Sequence, residues 1–193
     1  KQVEAQQLLG SSATHVMLFG GSRSGKTFLA VRRVIVRAIK APKSRHAMLR
    51  FRFNAIKASI VYDTFPKVME LCFPGVKWDL NKTDWFVTLP NGSEVWFGGL
   101  DDKERTEKIL GQEYATIFLN ECSQIPWSGR EMAVTRLAQK VEQVIDGKPA
   151  GDLPLKMIYD ENPPDRGHWS YRVFVQKIDP ETKRPLSRPD DFA

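Results

Sequence analysis

The chain has 193 residues, 41% hydrophobic and 27% charged, the size and composition of one globular domain rather than a disordered or low-complexity segment. Its 29 Lys and Arg against 23 Asp and Glu leave a formal charge of +6, which favours an anionic partner such as nucleic acid without specifying one. Cys72 and Cys122 stand in no motif, which excludes a disulfide scaffold and fits a reduced, intracellular protein; no stretch reaches membrane-span length and no signal peptide opens the chain.

In chain order, residues 1–9 form a Gln-rich, helix-prone segment. A glutamine just upstream of a nucleotide site can read adenine, because its amide both donates and accepts. Gln2 and Gln6 are the candidates, and a solvated helix face accounts for them equally well. Residues 14–19 read as a short buried strand. They lead into Gly20-Gly21-Ser22-Arg23-Ser24-Gly25-Lys26-Thr27, which fits the P-loop pattern G-x-x-x-x-G-K-[ST]. In such a loop Gly20 and Gly25 permit backbone angles and close approaches that a Cβ obstructs. The backbone N–H groups of Gly21, Ser22, Arg23 and Ser24 turn toward phosphate at the positive end of the following helix. Lys26 reaches the β- and γ-phosphates of ATP, and the Thr27 hydroxyl suits Mg²⁺.

Residues 28–40 carry an apolar face broad enough to pack on a sheet, with Arg32, Arg33 and Arg37 assigned to the other face. Residues 46–51 read as a second strand, and a helix follows from Asn54 to about Leu71, with Pro66 at a break. Arg50, Arg52 and Lys57 serve either as surface charge or as a DNA-facing side. Between residues 76 and 98, two β-rich runs flank Asn91-Gly92, a strong hairpin signal. The charged segment 103–110 is helical, and residues 114–119 form a buried strand. A helix is expected near 129–144, a turn at 146–152 and a last strand at 153–159. Residues 179–193, rich in proline and charge, look like a linker.

Two further features carry chemistry. The apolar run Ile117-Phe118-Leu119 ends in Asn120-Glu121, the pattern of a Walker B strand. The first position usually holds Asp near Mg²⁺; here Asn120 reaches the metal only through a bound water and brings no charge. Glu121 is placed to act as general base on the attacking water, a role worth about 10²–10⁴-fold. The last strand ends at Asn162-Pro163, where a polar residue beside the P-loop strand can sense the γ-phosphate, although Asn-Pro also favours a turn by itself.

At least one strand and a hairpin separate Lys26 from Glu121, and no Arg-rich lid is evident. This argues against a nucleotide kinase. The expected fold is α/β, a P-loop NTPase of the additional-strand, catalytic-glutamate type. It has a mainly parallel sheet, helices on both faces and an antiparallel hairpin extension. Residues 1–175 form the ATPase domain and 176–193 a linker.

The P-loop with Arg23 inside it, Leu119-Asn120-Glu121-Cys122, and Glu161-Asn162-Pro163-Pro164 with His168-Trp169 together resemble the ATPase domain of tailed-bacteriophage terminase large subunits. The resemblance implies a motor that pumps double-stranded viral DNA into a procapsid. It implies a homo-oligomeric ring, pentameric when assembled and monomeric in isolation, at the portal vertex in the host cytoplasm. Portal protein and small terminase subunit are the implied partners. By the same resemblance Arg23 contacts the γ-phosphate and Asn162 couples hydrolysis to movement. Arg105 and Lys108 are the positions from which a neighbouring subunit would present a finger. The family carries a nuclease domain after the ATPase domain, so no nuclease activity is expected of this chain. A helicase half, or a nucleotide-gated DNA-binding module with weak hydrolysis, are the competing readings.

Overall fold

The computed structural model describes residues 2–163 and 165–193, with the side chain of Arg105 outside that description. Pro164, the last residue of the Asn-Pro-Pro run, is likewise outside it. The chain opens with α1 (Gln2–Gly10), β1 (His15–Phe19), α2 (Lys26–Lys40) and β2 (Arg45–Arg50). Helical backbone then runs through α3 (Phe53–Ile56), a π-helical stretch (Lys57–Thr64) and α4 (Phe65–Cys72). Pro66 is accommodated because it falls in the first turn of α4. The antiparallel extension is β3 (Asp79–Asn81), β4 (Phe86–Thr88) and β5 (Glu94–Gly99). After α5 (Lys103–Leu110) come β6 (Thr116–Leu119), α6 (Trp127–Val134), β7 (Glu142–Ile145), β8 (Lys148–Asp152) and β9 (Lys156–Glu161).

The main sheet has seven strands in the order β1-β9-β6-β2-β5-β4-β3. From β1 to β5 the pairings are parallel. The last strand of the chain therefore lies between the P-loop strand and the Glu121 strand, the topology of an additional-strand ATPase. Side chains alternate across it. Val16, Leu18, Met48, Phe118 and Ile158 pack toward α2, α3 and α4 on one face, and Met17, Ala47, Leu49, Ile117, Leu119, Met157 and Tyr159 pack on the other with Ala133, Trp169 and Val173. The central strands are buried on both faces, as crossover connections require. Among the described residues no helix is long and apolar enough to cross a membrane.

Four local expectations are corrected. The helix expected over 129–144 ends at Val134, and the expected turn at 146–152 is the second half of the two-stranded hairpin β7–β8. Asp146 and Gly147 both adopt positive φ, +51° and +73°, the Asp-Gly geometry that closes a tight hairpin. Arg37 is buried rather than on the solvent face. It donates to Thr116 Oγ1 at 2.8 Å and to the carbonyl of Pro154, so its length is used to satisfy strand ends. Finally, the C-terminal stretch folds back along the outer edge of β1. Met17 N–H donates to the Ala193 carbonyl at 2.8 Å, Ala193 N–H donates to His15 O at 2.9 Å, and Phe192 stacks on His15 with ring centroids 4.4 Å apart. These contacts cover edge hydrogen-bonding groups that would otherwise be open to pairing.

Candidate active site

The P-loop connects β1 to α2. Gly25 has φ +86°, a left-handed conformation that only glycine adopts without cost. The turn it makes starts α2 at Lys26. Lys26 Nζ donates to the carbonyls of Gly20 at 2.7 Å and Gly21 at 2.8 Å, which holds the ammonium over the mouth of the loop. Gly21, Ser22, Arg23 and Ser24 are exposed, and Arg23 itself takes a positive φ of +61°.

Thr27, on the first turn of α2, donates its hydroxyl to Asp160 Oδ2 at 2.6 Å. Asp160 is the residue that sequence reasoning missed. It sits near the end of β9, 1% exposed. Besides Thr27 it accepts from Asn120 Nδ2 at 2.9 and 3.1 Å and from the Glu121 backbone N–H at 2.8 Å. Burial pushes its carboxyl above the usual carboxylate range, and the bonds from Thr27, Glu121 N–H and Asn120, with the charge of Lys26, pull it back. One signal was available. An Asn in the acidic position of a Walker B strand leaves a carboxylate to be found on a neighbouring strand.

Glu121 follows Asn120 in a strained left-handed conformation, φ +47°, of the kind that gathers at functional sites. Its side chain is 43% exposed, and Arg50 Nη2, at the end of β2, donates to Glu121 Oε2 at 2.5 Å. Arg50 Nη1 in turn donates to Ser59 Oγ at 3.1 Å. Arg50 is thus turned into the site. Of its two companions, Arg52 is exposed and Lys57 lies over the Trp85 ring, 4.7 Å from its centroid. The next residue on β9, Glu161, points to the other face and accepts from the buried Cys122 thiol at 3.2 Å. Burial raises both groups above their ordinary ranges.

The structure brings Lys26, Thr27, Asn120 and Glu121 to one place, the carboxyl end of the parallel strands. Asn162 stands exposed one residue beyond β9. A cleft of about 600 Å³ beside the loop is lined by Gln2, Ala5, Leu8, Phe19, Gly20 and Lys26 among others. Gln6 is exposed and does not line it, so of the two glutamines Gln2 is the one at the site. Lys108 is ion-paired with Asp84 of its own chain, and the Arg105 side chain lies outside the described residues. A phosphate-cradling loop, a cation over it, a hydroxyl backed by a carboxylate and a solvent-reaching glutamate are the parts that phosphoryl transfer to water requires.

A family model described as phage terminase large subunit matches residues 12–192. Among solved structures, the large terminase of a thermophilic bacteriophage superposes with a TM-score of 0.73 at 17% identity, covering 95% of this chain and 43% of that one. The same bacteriophage protein in complex with ATP-γ-S gives 0.68 at 16% identity, over 95% and 42%. The large terminase ATPase domain of a Thermus phage gives 0.62 at 16% identity, over 97% and 77%. No curated protein matches. The chain spans about 43% of the length of the first of these terminases.

Proposed function

The chain belongs to the phage terminase large subunit family, and from that premise we propose that it is the ATPase part of a motor that drives double-stranded DNA into a procapsid. The observation that carries this reading is the meeting of Lys26, Thr27 and Glu121 around the buried Asp160, at the carboxyl end of three adjacent parallel strands. The thermophilic bacteriophage terminase in complex with ADP and with ATP-γ-S supports ATP as the nucleotide.

Adenine enters the cleft between α1 and the P-loop, where Ala5, Leu8 and Phe19 offer apolar surface and Gln2 an amide. The loop N–H groups and Lys26 bind the phosphates, and Arg23 reaches the γ-phosphate. Glu121 takes a proton from the attacking water; Arg50 holds its carboxylate in position. Asn162, just past β9, passes the loss of the γ-phosphate to the rest of the motor. Mg²⁺ fits the donors present. It keeps several waters and needs only one or two protein groups beside substrate phosphates, and Thr27 with a carboxylate behind it meets that need. Among the described residues no cluster of three or more His, Cys, Asp or Glu offers a separate metal cage. When bound, Mg²⁺ supplies charge neutralisation at the β- and γ-phosphates.

The motor works as a homo-oligomeric ring, pentameric when assembled, at the portal vertex in the host cytoplasm, with portal protein and small terminase subunit as partners. A neighbouring subunit completes each site with a cation from Arg105 or Lys108, of which Lys108 must first leave Asp84. Phosphate release from Mg-ATP, measured with and without double-stranded DNA and at rising protein concentration, tests the reading. Slow hydrolysis that rises with DNA or with assembly is expected. No hydrolysis under any of these conditions would contradict it.

A further inference from the structure

We propose that the carboxylate on the metal side of this site has moved from the end of β6 to the end of β9: Asp160 faces the nucleotide-bound divalent cation, and Asn120 is the residue that positions it. The inference rests on the nucleotide-site reading above and deepens it.

Strand parity makes the exchange possible. Phe118 of β6 and Ile158 of β9 both pack on the face that α2 covers. Two residues on, Asn120 and Asp160 point to that same face, where Thr27 lies. The parallel register sets Leu119 beside Tyr159, so Asn120 and Asp160 are level neighbours. Either strand can deliver an acid to the same point in space. Glu161 cannot, because it projects to the opposite face and is held by Cys122.

The hydrogen bonds assign the roles. Thr27 Oγ1 lies 2.6 Å from Asp160 Oδ2 but 3.5 Å from Asn120 Nδ2. An ionised carboxylate only accepts, so Asn120 turns its NH₂ to Asp160, and the Glu121 N–H does the same. With an aspartate at position 120, two carboxylates would lie side by side and repel. With asparagine there, one carboxylate is steered by the other strand.

A purely structural role does not account for the charge. Asp160 is 1% exposed, and among the described residues no Lys, Arg or His forms an ion pair with it. Its direct partners are all neutral donors, with the Lys26 charge acting only from further away, and a buried carboxylate is costly unless a cation completes its surroundings. Oxygen ligation, a hydroxyl neighbour and adjacent nucleotide phosphates select Mg²⁺ as that cation.

The test is equilibrium binding of ATP-γ-S to the chain with Mg²⁺ and with EDTA. Wild type should bind more tightly with Mg²⁺. D160N should lose that Mg²⁺-dependent gain by about 10–100-fold while its metal-free binding stays close to wild type. The swap N120D/D160N should recover most of the gain, because the acid returns to the same point from β6. A second readout does not require D160N to fold: N120D alone should melt at lower temperature without metal and regain its melting point on adding Mn²⁺ or Mg²⁺ with ATP-γ-S. A D160N protein that keeps the full Mg²⁺-dependent gain, or a swap variant as uncoupled as D160N, overturns the assignment. If D160N does not fold, an N120D protein whose melting ignores metal overturns it equally. Nucleotide binding that is absent with and without metal would instead refute the nucleotide site itself.

Discussion

The two ends of the parallel sheet are both polar, and they do opposite things. At the amino end, His46 bonds Ser44 Oγ at 2.7 Å and Thr116 Oγ1 at 2.8 Å, Arg37 reaches Thr116, and Lys156 donates to the carbonyls of Ser11 at 2.7 Å and Ala13 at 2.5 Å. These basic side chains have carbonyls and hydroxyls for partners, and they close off backbone groups where strands begin. At the carboxyl end the buried group is the acid Asp160, and around it stand a glycine loop, a strained glutamate and a half-buried arginine. Buried polar groups are therefore not by themselves a mark of function. What distinguishes the carboxyl end is convergence beside an exposed loop and a solvent-reaching glutamate, with backbone strain and an acid that no basic side chain among the described residues pairs.

That contrast can be broken by mutation. A large effect is expected from Lys26→Ala, which removes the ammonium held over the loop. Turnover should fall about 10²–10³-fold, and ATP binding should weaken too, because the charge acts in both ground and transition states. Its melting temperature should barely change. Isothermal titration with ATP and a thermal melt check both halves; wild-type affinity would mean the loop does not hold phosphate.

Arg37→Ala probes the other end. It leaves Thr116 Oγ1 and the Pro154 carbonyl without their donor and opens space in the helix–sheet contact. A loss of about 2–4 kcal/mol in unfolding free energy is expected, read by urea denaturation. Turnover per folded molecule should stay near wild type. A catalytic defect larger than the stability defect would erase the distinction between the two ends.

The response to acid separates the two ends by sign. Burial, together with repulsion from neighbouring cations, lowers His15 and His46 from 6.5 to about 3. The unfolded chain therefore takes up protons that the fold refuses, and stability drops as pH falls from 6.5 toward 3, by up to about 1.4 kcal/mol per pH unit for each histidine. Asp160 and Glu161 have raised folded values, so they oppose this trend as they protonate. Melting curves from pH 7 to pH 4 should fall, and His46→Asn should flatten the fall; an unchanged slope would mean His46 is not held neutral.

Much of this was legible in the sequence for a physical reason. A P-loop is local: eight consecutive residues contain the turn, the cation and the hydroxyl, and the strand and helix flanking them can be read from periodicity. Glu121 was legible because it ends an apolar run. Asp160 was not, because its place depends on parallel register between β6 and β9, and Asn162-Pro163 two residues on carries the stronger local signal. The burial of Arg37 was hidden for a related reason. A helix face points toward solvent or toward a strand end depending on where the helix lies over the sheet. The helix expected over 129–144 failed where Asp146-Gly147 signalled a hairpin, and the strand after that turn, Lys148-Pro149-Ala150-Gly151-Asp152, has no β propensity to announce it.

The most direct test of the catalytic assignment is Glu121→Gln, measured for phosphate release, ATP-γ-S binding and thermal melting on the same preparation. The amide preserves shape and loses the proton acceptor. Release should fall by about 10²–10⁴-fold, with nucleotide binding and melting temperature unchanged. Turnover at the wild-type rate would contradict the account, because the carboxyl end of the sheet would then be a nucleotide-binding site whose base lies elsewhere.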